Sequence, residues 1–298
     1  MVVAPTRIKP QPGPQEQFLS SSADIVFYGG AAGGGKTFGL LLEALRYTLM
    51  VPGFGVTIFR REYLQIFNEG GLWDEANKLY RQFGGVPNKS SATWTFPPHG
   101  NKITFAHLNA PDSYYKYQGA QIALIIFDEG THFLRSQVMY LFTRNRSVCG
   151  VRPYIRLSYN PVPEDDPTGG WIHEFVGWYL DEEGYPIPER SGVIRYFVML
   201  DDILNWFDDR ETAVAFAVER NMPKPQHVPK SFTYILSTVY DNQILMKNDP
   251  QYIANLLASG HVNTERLLRA NHKIRDEKGL MFKREWFEIV PSFPFVRG

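Results

Sequence analysis

Short apolar runs alternate with amphipathic stretches along most of this chain, the pattern of buried strands with helices packed over them. Asp24 to Tyr28 is the first run, and Leu40, Leu41, Leu42, Ala44, Leu45 and Leu49 predict a helix from Phe38 to Met50 that is apolar nearly all round, stopped by Pro52-Gly53. Gly55 to Phe59 reads as a strand ending at Arg60-Arg61, and Leu72, Trp73, Ala76, Leu79, Tyr80 and Phe83 recur at helical spacing. Thr93 to Phe96 and Lys102 to His107 flank Pro97-Pro98-His99-Gly100-Asn101 as a hairpin. Ile122 to Phe127 is continuously apolar, as a central parallel strand would be, and ends in two carboxylates. A helix is predicted after it from Phe133 to Val148, with further strands at Tyr154 to Tyr159, Val193 to Leu200 and Phe232 to Val239. The Pro/Gln-rich start, about 20 residues, predicts an extended segment rather than an element.

This order predicts an α/β fold with a mostly parallel, doubly wound central sheet flanked by helices. Residues 1–240 read as the core. Residues 241–298 read as a small lid or linker, with helical patterns from Asp249 to Ser259 and Asn263 to Asn271 before Lys278-Gly279 turns into Met281 to Val290.

Composition narrows the function classes. The 298 residues are 44% hydrophobic, enough for one large core, and Lys plus Arg (31) equals Asp plus Glu (31), so no strongly basic nucleic-acid binder is indicated. No run of 18 apolar residues occurs and Met1 leads into Pro5, Pro10, Pro12 and Pro14, which predicts a soluble, cytosolic chain without membrane contact. Cys149 is the single cysteine, and the seven histidines show no metal-ligand spacing, so neither a disulfide nor a zinc site is expected.

The chemistry is concentrated in three places. Gly30-Ala31-Ala32-Gly33-Gly34-Gly35-Lys36-Thr37 fits G-x-x-x-x-G-K-[ST] between a strand and a helix. In that setting backbone N–H groups surround a polyphosphate, Lys36 reaches the β- and γ-oxygens, and Thr37 offers its hydroxyl to Mg²⁺; a glycine-rich turn that merely caps the helix is the plainer alternative. Asp128-Glu129 at the tip of the apolar run can hold the magnesium shell (Asp128) and activate water (Glu129), although paired acids after a strand also cap the next helix. Asn160-Pro161 ends the next strand, where Asn160 can hydrogen-bond a γ-phosphate or simply form a turn. ATP hydrolysis with Mg²⁺ is the activity these residues predict.

Taken together the motifs resemble the ATPase part of the large terminase subunit, the genome-packaging motor of tailed bacteriophages. The similarity begins at Pro12-Gly13-Pro14-Gln15-Glu16-Gln17-Phe18-Leu19, which looks like the family's adenine-side glutamine motif with Gln15 as the adenine partner. It runs through Gly29 to Thr37 (Walker A), Phe59-Arg60-Arg61, Tyr117-Gln118-Gly119, Phe127-Asp128-Glu129 (Walker B), Arg144-Asn145-Arg146, and Ser158-Tyr159-Asn160-Pro161, which resembles the coupling motif. Gly279 to Phe287 is similar to the segment leading out of the motor domain. The resemblance implies a P-loop fold of the additional-strand (ASCE) type. It also implies translocation of double-stranded DNA into a procapsid by a homo-oligomeric ring at the portal, with a small terminase subunit nearby, in the cytoplasm of the infected host and not in the mature virion.

Two departures shape the expectations. The chain ends at Gly298, where large terminases usually continue into a nuclease, so no DNA cleavage is expected of it. The positions at which family members carry an arginine finger hold Ala31 to Gly35 and Lys116 to Gly119 here, which leaves Arg144 and Arg146 as candidates for a finger supplied by a neighbouring subunit, or as a solvated helix face. Candidate DNA contacts are Arg60 and Arg61 with Lys78, Arg81 and Lys89, or the cluster Arg266, Arg269, Lys273 and Arg275. A helicase-like translocase and a nucleotide-gated assembly module with little turnover are the alternatives.

Overall fold

A computed structural model describes residues 8–275 and gathers ten strands of that span into one sheet. In chain order they are β1 (Ile25–Gly30), β2 (Val56–Arg60), β3 (Val86–Asn88), β4 (Thr93–Phe96), β5 (Asn101–His107), β6 (Leu124–Phe127), β7 (Tyr154–Ser158), β8 (Arg195–Leu200), β9 (Ile203–Phe207) and β10 (Lys230–Ser237). Across the sheet they run β3-β4-β5-β2-β6-β7-β1-β10-β8-β9. The inner strands β5-β2-β6-β7-β1-β10 are mutually parallel, and antiparallel pairs close both flanks. β7 lies between the phosphate-loop strand β1 and the acidic strand β6, which is the additional-strand arrangement expected of the fold.

Register brings the chemical residues into one row. Phe59 of β2 pairs with Phe127 of β6, Phe127 with Leu157 of β7, and Leu157 with Phe27 of β1. The next residues along each strand, Arg60, Asp128, Ser158 and Tyr28, therefore meet at the carboxyl edge. Alternation sends Val26 and Tyr28 into one apolar layer and Ile25 and Phe27 into the other, so the sheet is buried on both faces.

The helices covering it are α1 (Pro14–Ser20), α2 (Lys36–Thr48), α3 (Tyr63–Phe67), α4 (Leu72–Tyr80), α5 (Arg135–Phe142), α6 (His173–Val176) and α7 (Arg210–Glu219). α8 (Gln243–Asn248), α9 (Tyr252–Ala258) and α10 (His261–Leu267) follow β10 and enclose a small apolar cluster of Val239, Leu256 and Leu268. No helix among the described residues is long and apolar enough to cross a membrane. The expected exit segment Gly279 to Phe287 lies outside the described residues.

The structure departs from the sequence pattern in three places. The Pro/Gln-rich start is not extended throughout: Pro14 sits in the first helical turn, where its missing N–H is harmless, and α1 turns Gln15 and Phe18 inward, with Phe18 stacked on Tyr28 at 4.7 Å. The helix expected to reach Val148 ends at Phe142. Beyond it Asn145 donates to the carbonyls of Ile122, Ala123 and Tyr154 at 3.0 to 3.2 Å, pulling the chain back to the amino ends of β6 and β7. Val193 to Leu200 is an antiparallel flank, paired with a further strand, β9, rather than a member of the parallel core.

Candidate functional site

The loop Gly30 to Thr37 borders a cavity of about 310 Å³ whose wall is formed by Ala32 to Phe38 together with Glu129, Asn160 and Asn242. Gly33 (φ 76°) and Gly35 (φ 74°) adopt left-handed conformations that a Cβ would disfavour. The loop carbonyls are held from outside: Asn242 Nδ2 donates to Gly33 O at 2.7 Å, Ser237 Oγ to Gly34 O at 3.1 Å and Gln15 Nε2 to Gly35 O at 2.9 Å. The N–H groups of Gly33, Gly34 and Gly35 have no backbone acceptor among the described residues. With the positive end of α2 behind them, they form an anion cradle.

Lys36 is buried at the cradle's edge. Its Nζ lies 2.5 Å from Ala31 O and 3.0 Å from Asn160 Oδ1. Burial pushes its ammonium down to about 8, against the opposing pull of Glu129 and Asp128. Asn160 turns its other end to the acid, Nδ2 donating to Glu129 Oε2 at 3.1 Å. Only one orientation of the amide serves both neighbours, with the carbonyl to the cation and the NH₂ to the carboxylate.

Glu129 is held at φ 60°, ψ 57°, a left-handed conformation that costs a residue with a side chain on the order of 1–3 kcal/mol. The bend turns it into the cavity while Asp128 stays behind it. Burial, and then Asp128, raise the Glu129 carboxyl above the usual range, with Lys36, Arg60 and His132 opposing. Asp128 is 1% exposed and accepts from Ser158 Oγ at 2.6 Å on Oδ1 and from Arg60 Nε and Nη2 at 2.9 and 2.5 Å on Oδ2. A carboxylate has about four lone-pair sites, so three bonds leave one unfilled, though Asp128 lies behind the cavity wall and is already paired with Arg60. With the Thr37 hydroxyl on the cavity wall, the donor set is all oxygen, which suits Mg²⁺ completed by waters and phosphate oxygens.

Several expected roles change. Gln15, expected as the adenine partner, is 3% exposed, with its Nε2 on Gly35 O and its Oε1 accepting from Gln11 N at 2.9 Å, so here it braces the loop. Arg60 is turned inward onto Asp128 instead of toward DNA, and Asp128 holds it cationic although burial acts the other way. Arg61 donates to Leu108 O at 2.9 Å and is partly exposed, on the lining of a second cavity. Arg144 and Arg146 lie at the far end of the sheet, since Arg144 O accepts from Ile122 N at the start of β6. Arg144 sits over the Tyr140 ring and Arg146 donates to Gly119 and Ala120 carbonyls, so neither approaches Lys36 of its own chain. In the remaining basic sets, Lys78 pairs with Glu75 and Arg269 with Glu265.

Other contributors carry no sequence motif. Ser237, Asn242 and Gln11 are short polar residues at a strand tip or in turns, visible only as punctuation, whereas Ser158 lies in the coupling-like segment without a role read for it there. Tyr159 faces away from Asn160 and fills the space over Gly29, where a Cβ would lie 2.2 Å from its ring. Its O–H is 2.9 Å from His272 Nε2, and His272 Nδ1 is 2.8 Å from Ala270 O. A carbonyl needs an N–H, so Nδ1 carries the proton and Nε2 accepts from Tyr159. Burial, and then His173, push His272 down to about 3.

The family model for the terminase large subunit, T4likevirus-type, N-terminal, matches residues 27–289. Among solved structures, the large terminase of a thermophilic bacteriophage superposes with a TM-score of 0.57 at 14% identity, covering 93% of this chain and 57% of that one. The same phage protein in complex with ADP gives 0.51 at 14% identity, with 87% and 52% covered. The large terminase ATPase domain of Thermus phage P74-26 gives 0.50 at 12% identity, with 89% and 100% covered. The chain thus spans little more than half the length of the first two. No curated protein matches it in sequence.

Proposed function

The chain belongs to the family of terminase large subunits, and from that premise we propose that it is an Mg²⁺-dependent ATP-hydrolysing motor that drives double-stranded DNA into a viral procapsid. The observation that carries this reading is the contact series Lys36–Asn160–Glu129 on the wall of the glycine-loop cavity. The relative bound to ADP supports a nucleotide as occupant.

With the polyphosphate against Gly33 to Thr37, Lys36 meets the β- and γ-oxygens and gives up its hold on Asn160. Glu129 takes the proton of the water that attacks the γ-phosphorus as the bond to ADP breaks. Thr37 and Asp128 would hold Mg²⁺, which when bound neutralises charge on the β- and γ-phosphates. When the γ-phosphate leaves, Asn160 returns to Lys36, so the tip of β7 registers the nucleotide state. A lid role for the expected 241–298 region is supported by its described part: Leu267 O accepts from Ala32 N at 2.8 Å, so α10 reaches the loop. Arg144 or Arg146 of a neighbouring subunit supplies the finger in a ring on the portal, with the small terminase subunit as a further partner. A finger contributes about 10³ to 10⁵ in rate, so isolated monomers turn over slowly.

Steady-state ATPase with and without duplex DNA, at high protein concentration, tests this. Duplex-stimulated hydrolysis that is lost in Glu129→Ala is expected. Turnover unchanged by the substitution overturns the assignment, and strand separation would point to a helicase-like translocase instead.

A further inference from the structure

A second polar cavity, of about 350 Å³, lies beside the first. Thr131 and His132, just beyond Glu129, line it together with Arg61, Asp166, Thr168 and Arg266. The partition is thin: Thr131 Oγ1 donates to the carbonyl of Asn160 at 3.4 Å, so the residues that face the nucleotide cavity and those that face this one are immediate chain neighbours.

Arg266, on α10, is the anomaly. Its Nε is buried without a hydrogen-bond partner. The neighbouring cations are engaged: Arg269 pairs with Glu265 at 3.1 Å, Arg275 with Asp165 at 3.3 Å, and Lys273 donates to Glu182 O at 2.6 Å. Arg266 lines the cavity yet forms no ion pair with a carboxylate among the described residues, unlike Arg269 and Arg275 beside it, so its charge is left uncompensated there. Arg61 also lines the cavity, with Nη1 on Leu108 O at 2.9 Å and 3.5 Å from Gln137 Oε1, and with Nε 3.8 Å from the exposed Glu62. Asp166, the one carboxylate on the lining, has Oδ1 tied to the N–H groups of Thr168 and Gly169 at 3.0 and 2.7 Å.

We propose that this cavity is a phosphate site, with Arg61 and Arg266 as charged donors and His132 and the Thr168 hydroxyl completing the shell. Two guanidinium groups on the lining of one cavity suit a tetrahedral oxyanion. The phosphate comes either as inorganic phosphate leaving the adjoining nucleotide cavity or as a backbone phosphate of duplex DNA. The choice of source rests on the functional reading above; the site itself does not.

The test uses the full chain with ADP present to fill the nucleotide cavity. Inorganic phosphate is titrated by ³¹P NMR, a short DNA duplex by fluorescence anisotropy, and the wild type is compared with Arg266→Gln. Loss of one charge-assisted donor should weaken the true ligand by about tenfold or more. A weakened phosphate titration with unchanged duplex affinity assigns the released product. A weakened duplex with a salt slope lower by about one assigns the DNA backbone. If neither affinity changes, the site is refuted. Thr168→Val, which removes a hydroxyl from the facing wall, gives the same reading with a smaller loss should Arg266→Gln fold poorly. A chain that binds phosphate through Arg266 yet shows no ATPase would overturn the functional reading while keeping this site.

Discussion

Asn160 holds Glu129 through Nδ2 to Oε2 at 3.1 Å while its Oδ1 accepts from Lys36 at 3.0 Å, so one amide separates the acid from the cation. Without it, Lys36 and Glu129 would be drawn together as an ion pair and both would be withdrawn from the cavity. Asn160→Ala should therefore lower kcat by about 10² to 10³, the scale of losing one preorganised polar group, while ATP affinity falls far less. Single-turnover hydrolysis alongside nucleotide binding measures the two separately. An equal loss in both would mean that Asn160 only shapes the pocket.

The same two groups define a pH profile. If Glu129 is the base proposed above, it must be ionised, and its raised carboxyl places the acidic limb of kcat/KM above the ordinary glutamate range. Lys36 serves phosphate only when protonated, so activity is lost again as pH rises through about 8. Lys36→Arg should move the alkaline limb upward, because a guanidinium stays charged. An alkaline limb that does not move with this substitution would assign it to another group.

That Lys36, Thr37, Glu129 and Asn160 share one cavity wall, with Asp128 next to Glu129, agrees with local motifs beside apolar runs; the roles read from those motifs are the proposal. The parallel core was legible in the sequence because strands buried on both faces advertise themselves as continuous apolar segments. What placed Arg60 on Asp128 was strand order, β2 beside β6, which no local pattern encodes. The contact of Gln15 with Gly35 was not legible, because it depends on α1 forming where prolines suggested extension. Asn242 gave no signal, and Arg266 stood out only as one of a basic cluster, because their placement depends on α8 and α10 folding back onto the loops of the sheet, a long-range event.

Arg60 and Asp128 form a pair with one member 18% and the other 1% exposed. Removing the cation leaves a buried carboxylate with only Ser158, and Arg60→Ala should cost about 3–5 kcal/mol of unfolding free energy. The double change Arg60→Ala with Asp128→Asn should recover much of this, because a neutral amide needs no counter-charge. Denaturant titration of the four proteins supplies the cycle; strict additivity would show that the pair is not coupled.

Gln15 has both ends of its amide on backbone, Gly35 O and Gln11 N. Its loss should loosen the loop for every nucleotide equally. Gln15→Ala is thus expected to raise KM for ATP and GTP by the same factor, on the order of tenfold for one lost buried hydrogen bond. A loss confined to ATP would restore base recognition to this residue.

His272 offers a stability test that is independent of catalysis. Its folded value near 3 lies below the ordinary 6.5, so the unfolded chain takes up the proton first. Stability from this residue is then full above about pH 6.5 and declines as pH falls toward about 3, the range between those two values. Tyr159→Phe removes the donor to Nε2 and should cost about 1–3 kcal/mol at neutral pH. His272→Gln, which can still accept from Tyr159 but does not titrate, should flatten the decline between pH 7.5 and 5 in urea unfolding. If the wild type and His272→Gln lose stability in parallel over that interval, the proton is taken up elsewhere, and the neutral Tyr159–His272 contact is not what ties residues 270–272 to the tip of β7.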